Sequence, residues 1–231
     1  MLFRSVWVFP MISTRWRELF AYAQAKTELR LPGLPVHPYL SVRFIGDLRG
    51  RAPLLQPPSP VVGLVPQYLS ERSFILAAGV ATPAWRGATL WFEAGKSLPY
   101  QAAPAHRVQT DVRGGISYTN TARRGRAFAE TNDDGLFLSR FHNDALLYSQ
   151  NRTGWTLNDS VQFHWNWNAT VDARRESWAN FIETGPGVRL KVDPMVITVN
   201  WLRGAYLLNA GNPYRPNYND LRIGIWYAFS R

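Results

Sequence analysis

The sequence predicts an all-β fold, an antiparallel transmembrane β-barrel of about 10–12 strands, and three observations carry that expectation. The first is long alternation. In "VQFHWNWNATV", Val161, Phe163, Trp165, Trp167, Ala169 and Val171 are apolar, while Gln162, His164, Asn166, Asn168 and Thr170 are polar. Successive side chains of a strand point to opposite faces. Many candidate strands reach ten or more residues, where globular strands average about five or six and about 9–11 tilted residues cross a bilayer. The second is the content of the polar face, which holds Arg, Lys, Asn, His and Gly, as a wet lumen would. The third is the placement of aromatic residues near strand ends, such as Tyr214 and Tyr218 before the last strand and Tyr227 and Phe229 within it.

Bulk properties agree. A chain of 231 residues can bury a core as one β domain. Aromatics make up 14%, including 10 Trp, and amphipathic rings fit a membrane interface more easily than a closed core. A net charge of +10 points to an acidic partner such as anionic lipid or acidic glycan. The cations are scattered between apolar residues, with no nucleic-acid-binding signature, so no nucleic-acid partner is expected. With no Cys, disulfides and thiol chemistry are excluded.

Taken in order, residues 1–14 are expected to be an irregular N-terminal segment, and 15–231 the barrel domain. "MLFRSVWVFPMISTRWRE" lacks the apolar core and cleavage site of a signal peptide. An outer-membrane location therefore calls for a targeting segment that this stretch does not supply. The stretch 16–29 fits helical and strand spacing alike, with strand preferred. Strands are then expected near 38–47, 67–81, 86–95, 110–120, 126–131, 135–142, 145–157, 160–172, 177–191, 195–208 and 219–230. The turn-formers "GDLRGR", "TNDDG", "ETGPG" and "NAGNPYRPN" stand out between them. The Pro-rich 51–66 cannot pair in a sheet interior and is expected to be a rim loop, as is "SLPYQAAPAH". In "NWLRGAYLL", Arg203 shares a face with Trp201 and Val199, which calls for a bulge or a shifted register. The chain could also be the C-terminal part of a larger barrel.

On this register Arg43, Arg113, His164, Arg189, Lys191, Arg222 and Trp226 face the lumen. Two outcomes are open: a basic lumen that attracts anionic sugars, with Trp226 stacking on a ring, or Args that pair with inward Asp and Glu. No enzyme activity, cofactor or metal site is expected. Glu183 and Asp172 could form a hydrolytic carboxylate pair, but rim carboxylates are ordinary. "TNDDG" and "NYND" read as turns in preference to calcium ligands. His37, His106, His142 and His164 show no close pairing.

The segment "RIGIWYAF" resembles the C-terminal assembly signal of outer-membrane barrels, with Arg222, Gly224, Tyr227 and Phe229 in its characteristic places, although Ser230 and Arg231 follow. "PYLSVRFIGDLRG", "PQYLSERSFILAAGVAT", "WFEAG", "DVRGGISY", "AETNDDGLFLSRFHNDALLYSQNRTGWTL" and "GNPYRPNYNDLRIGIWYAF" together resemble the C-terminal domain of the bacteriophage adsorption protein A (NfrA-type) outer-membrane family. The resemblance spans roughly residues 36–231. It implies a porin-like conduit associated with exopolysaccharide secretion and used as a phage receptor. The implied partners are outer-membrane lipid, the barrel-assembly machinery, anionic polysaccharide and a phage tail protein. The alternative is a soluble β-sandwich that binds glycans.

Overall fold

The computed structural model describes residues 2–15, 18–48, 72–100, 107–140, 143–174, 179–207 and 217–230. Among them are twelve strands: β1 (Leu2–Ser13), β2 (Glu18–Leu29), β3 (His37–Asp47), β4 (Ser73–Ala81), β5 (Ala88–Pro99), β6 (Gln109–Arg124), β7 (Ala127–Leu138), β8 (Asp144–Thr156), β9 (Val161–Asp172), β10 (Phe181–Val192), β11 (Met195–Tyr206) and β12 (Asn217–Ser230). Each pairs antiparallel with its sequence neighbours, and β1 also pairs with β12, closing the sheet on itself. The barrel therefore closes within these residues, and the larger-barrel expectation is corrected. Closure gives the backbone of both terminal strands a partner and removes every sheet edge.

The side-chain faces decide which solvent meets which wall. On β9, Trp165 and Trp167 are 43% and 55% exposed, while Asn166 and Asn168 are 1% and 4% exposed. On β3, Leu40 and Val42 are exposed while Ser41 and Arg43 are buried; on β4, Phe74, Leu76 and Val80 are exposed while Ser73 is buried. Water-soluble proteins show the opposite arrangement. An apolar outer wall around a polar interior, built from long strands, is a transmembrane β-barrel. There is one closed sheet rather than two packed layers, so the sandwich alternative fails.

Aromatic rings mark both ends of the outer wall. Phe44, Phe74 and Tyr100 pack together, with ring centroids 5.3, 5.4 and 5.9 Å apart. Trp155, Tyr227 and Phe229 are exposed near the opposite end. The connections are also asymmetric. The rim that carries both termini is joined by 30–36, 82–87, 125–126, 157–160 and 193–194, the other by 14–17, 48–72, 100–108, 139–143, 173–180 and 207–216. Short turns on one side and longer connections on the other are the usual layout of outer-membrane barrels.

Several expectations need correction. Residues 1–14 are not irregular: β1 begins at Leu2. Both its faces are largely apolar, with Val6 and Ile12 outside and Trp7, Phe9 and Met11 inside, so no alternation announced it. Pro10 also reads as a breaker. In the barrel it pairs with Ala21 of β2, while the pairing with β12 skips Phe9 and Pro10. A proline lacks the N–H for such a bond, so the interruption is local. "TNDDG" is not a turn between two strands but the middle of β7. Asp134 faces inward beside Ser117, and outward Asp133 accepts a hydrogen bond from Ser149 Oγ at 2.6 Å. The expected dozen is thus right in number, with one strand too many at 126–142 and one too few at the start. "ETGPG" likewise lies inside β10. A Cβ on inward Gly187 would collide with Asn200 Oδ1 and His164 Nε2, so crowding, not turning, requires that glycine. Arg203 needs neither bulge nor shifted register: it stands outside opposite Asn219 and Thr184, and the register with β10 is the same on both sides of the two-residue gap at Gly185 and Pro186. The 16–29 strand is found as β2. The Pro-rich 51–66 lies outside the described residues.

Candidate functional site in the barrel interior

Strand parity places Arg43, Arg113, His164, Arg189, Lys191, Arg222 and Trp226 on the inner face. Four are held by carboxylates from the same face. Arg43 of β3 meets Glu93 of β5 at 2.7 Å. Arg113 forks onto Asp111 two residues away, at 2.6 and 2.7 Å, and Arg140 reaches the same carboxylate at 3.4 Å. Arg189 of β10 forks onto Glu130 of β7 at 2.8 and 2.7 Å, and Arg152 of β8 approaches it at 3.9 Å.

Arg222 stands at the centre of the largest cluster. It donates to Glu183 at 2.8 and 3.1 Å and to Asp220 at 2.8 and 3.1 Å. Glu183 also accepts from Tyr218 Oη at 3.1 Å and Asn168 Nδ2 at 3.0 Å. Arg15, from the β1–β2 turn, lies 3.8 Å from Glu183. Its guanidinium sits over the rings of Phe181, Tyr206 and Tyr218, at 4.5, 4.8 and 3.7 Å from their centroids, and donates to the Tyr206 hydroxyl. Ser13 Oγ donates to Asp220 at 2.8 Å. This cluster ties β1, β9, β10, β11 and β12 together below the rim with the longer connections.

Bidentate Arg–carboxylate pairs of this kind satisfy both charges only while the partner stays in place. Several link strands that are not neighbours, such as β3 to β5, β7 to β10 and β10 to β12. They therefore brace the wall across the interior. Glu93 and Asp220 are 1% and 0% exposed, so water does not surround them. Of the two outcomes left open by the sequence, paired and space-filling Args is the one found at these four positions.

The remaining three residues differ. His164 Nε2 lies 2.8 Å from Asn200 Oδ1, which also accepts from Asn166 Nδ2 at 3.1 Å. Lys191 is exposed. Trp226 is 40% exposed and stacks on Trp7, which stacks on Tyr22, with 5.2 Å between centroids in each pair. These last two lie toward the rim with the termini. His164→Ala is expected to remove one of the two partners of Asn200 Oδ1 and open space beside Gly187, costing about 1–3 kcal/mol, read as a lower urea midpoint in lipid vesicles.

Glu183 and Asp172 are not brought together. Asn168 stands opposite Glu183 in the ladder, and Asp172 is bonded by Asn180. The oxygens of 131–135 and 217–220 alternate between faces of β7 and β12 and do not converge. His37 Nδ1 lies 3.1 Å from Glu28, while His106 and His142 lie outside the described residues. In the terminal strand, Arg222 and Gly224 face inward and Tyr227 and Phe229 outward.

The counter-ions were missed. Two were legible, because Asp111–Arg113 and Asp220–Arg222 are i, i+2 pairs on one face of a strand. Glu93, Glu130 and Glu183 sit on other strands from their Args, and register alone brings them close.

Fold and interior together define a closed, twelve-stranded transmembrane β-barrel with a charge-paired core. No family model matches the chain, and no curated protein matches it. Solved structures align along most of its length at low similarity. LpxR from Salmonella typhimurium shares 8% identity over 97% of this chain and 99% of its own, with a TM-score of 0.40. The KdgM porin in complex with disordered oligogalacturonate shares 7% over 97% and 99%, at 0.39. The translocator domain of autotransporter NalP from Neisseria meningitidis shares 10% over 99% and 88%, at 0.39. Scores this low carry no argument, and the architecture rests on the strand pairing alone.

Proposed function

We propose that this chain is a Gram-negative outer-membrane barrel whose longer connections on one rim form a surface handle for a phage tail. In the same proposal, its lumen serves passage of an anionic exopolysaccharide, and its partners are outer-membrane lipid and the barrel-assembly machinery. The observation that carries the reading is the inversion of faces, with Trp165 and Trp167 outside and Asn166 and Asn168 inside. The asymmetry of connections supports outward display of 48–72 and 207–216. Passage draws support from Lys191 and Trp226, an exposed cation and an exposed ring on the inner face. An acidic sugar would meet a charge and a stacking surface there. The Arg–carboxylate braces oppose a wide, permanently open pore.

Two measurements test the reading. Cells displaying the barrel without residues 51–66 are expected to lose phage adsorption while the unboiled protein keeps its shifted gel position. Adsorption that persists would remove the handle. In planar bilayers, Lys191→Glu is expected to move ion selectivity toward cations, and unchanged selectivity would remove the conduit.

A further inference from the structure

At mid-height the outer wall is apolar on most strands, with Val42 on β3, Leu76 on β4 and Ile223 on β12 exposed there. β7 and β8 break the pattern. Asp133, the seventh of the twelve residues of β7, stands outside at mid-span, and its ladder partner on β8 is Ser149, the sixth of thirteen. One outward step toward the termini, Thr131 and Asn151 stand opposite each other. A single chain of hydrogen bonds runs through these four side chains. Thr131 Oγ1 donates to Asn151 Oδ1 at 2.9 Å, Asn151 Nδ2 to Ser149 Oγ at 2.9 Å, and Ser149 Oγ to Asp133 Oδ1 at 2.6 Å. Each donor points along the chain toward the carboxyl group.

The chain leaves capacity unused. Asn151 keeps a second amide N–H and Asp133 a second carboxyl oxygen, with no further partner for either among the described residues. No Lys or Arg stands outward on β7 or β8. Ionisable side chains at this depth face protein or water rather than hydrocarbon, and lipid tails offer neither group a partner. The tilt of the sheet sets the level of the two groups. One hydrogen-bonded row starts at His37, the termini-side end of β3, passes Ala81, Trp91, Gly115, Leu136 and Leu146, and reaches Asp172 at the opposite rim. Rows therefore descend from β7 to β8 toward the longer connections. Asn151, two residues nearer the termini than Ser149, stands level with Asp133. A free donor and a free acceptor thus sit side by side at one height. Ala129 and Gly135, outward on β7 to either side, are small, so another wall can come close.

We propose that the outer face of β7 and β8 joins two copies of this barrel about a two-fold axis along the membrane normal, with Asn151 of each copy donating to Asp133 of the other. A two-fold contact uses the same patch on both subunits, and a donor beside an acceptor at one level becomes its own complement when turned through such an axis. A second copy is the occupant in preference to lipid, which presents hydrocarbon at this depth, and to a soluble protein, which does not reach it. A different barrel would have to supply a donor and an acceptor that this patch already holds. The inference rests on the lipid-facing reading of the outer wall and is independent of what passes through the lumen.

Native mass spectrometry of the barrel from phosphatidylcholine vesicles, over a range of protein-to-lipid ratios, and disulfide trapping in the same vesicles test this. Wild type is expected to be a dimer. Asp133→Leu and Asn151→Leu should each weaken association about tenfold or more, while the unboiled proteins keep the gel position of the folded barrel. The chain has no Cys, so a new one reports a contact without background. Thr131→Cys, beside the axis, should give a disulfide-linked pair under oxidation, and Leu40→Cys, exposed on β3, should not. A monomeric wild type, or a dimer undiminished in both leucine variants, would overturn the proposal. So would a ring of three or more copies, or trapping through Leu40→Cys equal to that through Thr131→Cys. Conductance per barrel should be the same in wild type and Asp133→Leu, so failure here leaves the conduit reading untouched.

Discussion

Glu183→Gln is expected to destabilise the barrel by about 3 kcal/mol, the lower end of the range for breaking a buried ion pair. Glutamine keeps the shape and one acceptor for Tyr218, but it removes the charge that both Arg222 and Arg15 face. Arg222 keeps Asp220 at 2.8 Å, which is why the loss sits at the low end. Arg15 keeps its aromatic surroundings and the Tyr206 hydroxyl, without the carboxylate. Urea unfolding in lipid vesicles, followed by tryptophan fluorescence and gel mobility, measures the change. The same substitution should raise single-channel conductance by releasing the brace between β10 and β12. An unchanged midpoint together with unchanged conductance would mean that the cluster neither holds nor obstructs.

Val42→Arg is expected to cost about 2–4 kcal/mol in a bilayer. Val42 lies at the middle of β3, outside and 44% exposed. On a surface in water, an exposed Val→Arg change stays within about 0.5 kcal/mol. The large cost comes from placing a guanidinium in hydrocarbon, beyond easy reach of either headgroup layer. Leu2→Arg, at the end of β1, is the depth control and should cost about 0–1 kcal/mol. Vesicle unfolding of the two variants, compared with the same pair in detergent, separates lipid exposure from loss of packing. Equal costs at both depths would contradict a lipid-facing wall.

Much of the barrel was legible in the sequence, because period-two alternation is a local signal wherever the two faces meet different solvents. β9 declares itself from Val161 to Asp172 on that basis alone. Legibility fails where the faces stop differing. β1 has apolar residues on both, since Trp7 and Phe9 fill the interior and Val6 and Ile12 meet lipid. β7 has polar residues on both, since outward Thr131 and Asp133 satisfy one another's neighbours through Asn151 and Ser149 at 2.9 and 2.6 Å. Asp, Asn and Gly in such a stretch look like a turn when their partners on β8 are unseen. The inner site was half legible for a related reason. Which residues share the inner face follows from parity. Which carboxylate each Arg meets follows from register and from chords across the interior, which no single strand encodes.

The skipped pairing at Pro10 has a mechanical consequence for the hoop. β1 and β12 are the only neighbours that come from opposite ends of the chain, and midway along their joint two backbone pairings are absent. Side chains do the fastening there: Phe9 lies against Gly224, Trp7 rests on Trp226, and Ser13 and Asp220 clasp the upper end. The β10–β11 joint has a gap of the same length, at Gly185 and Pro186 opposite Leu202 and Trp201, so the backbone weave is thinned at two seams, and the one that joins the two ends of the chain is fastened by side chains.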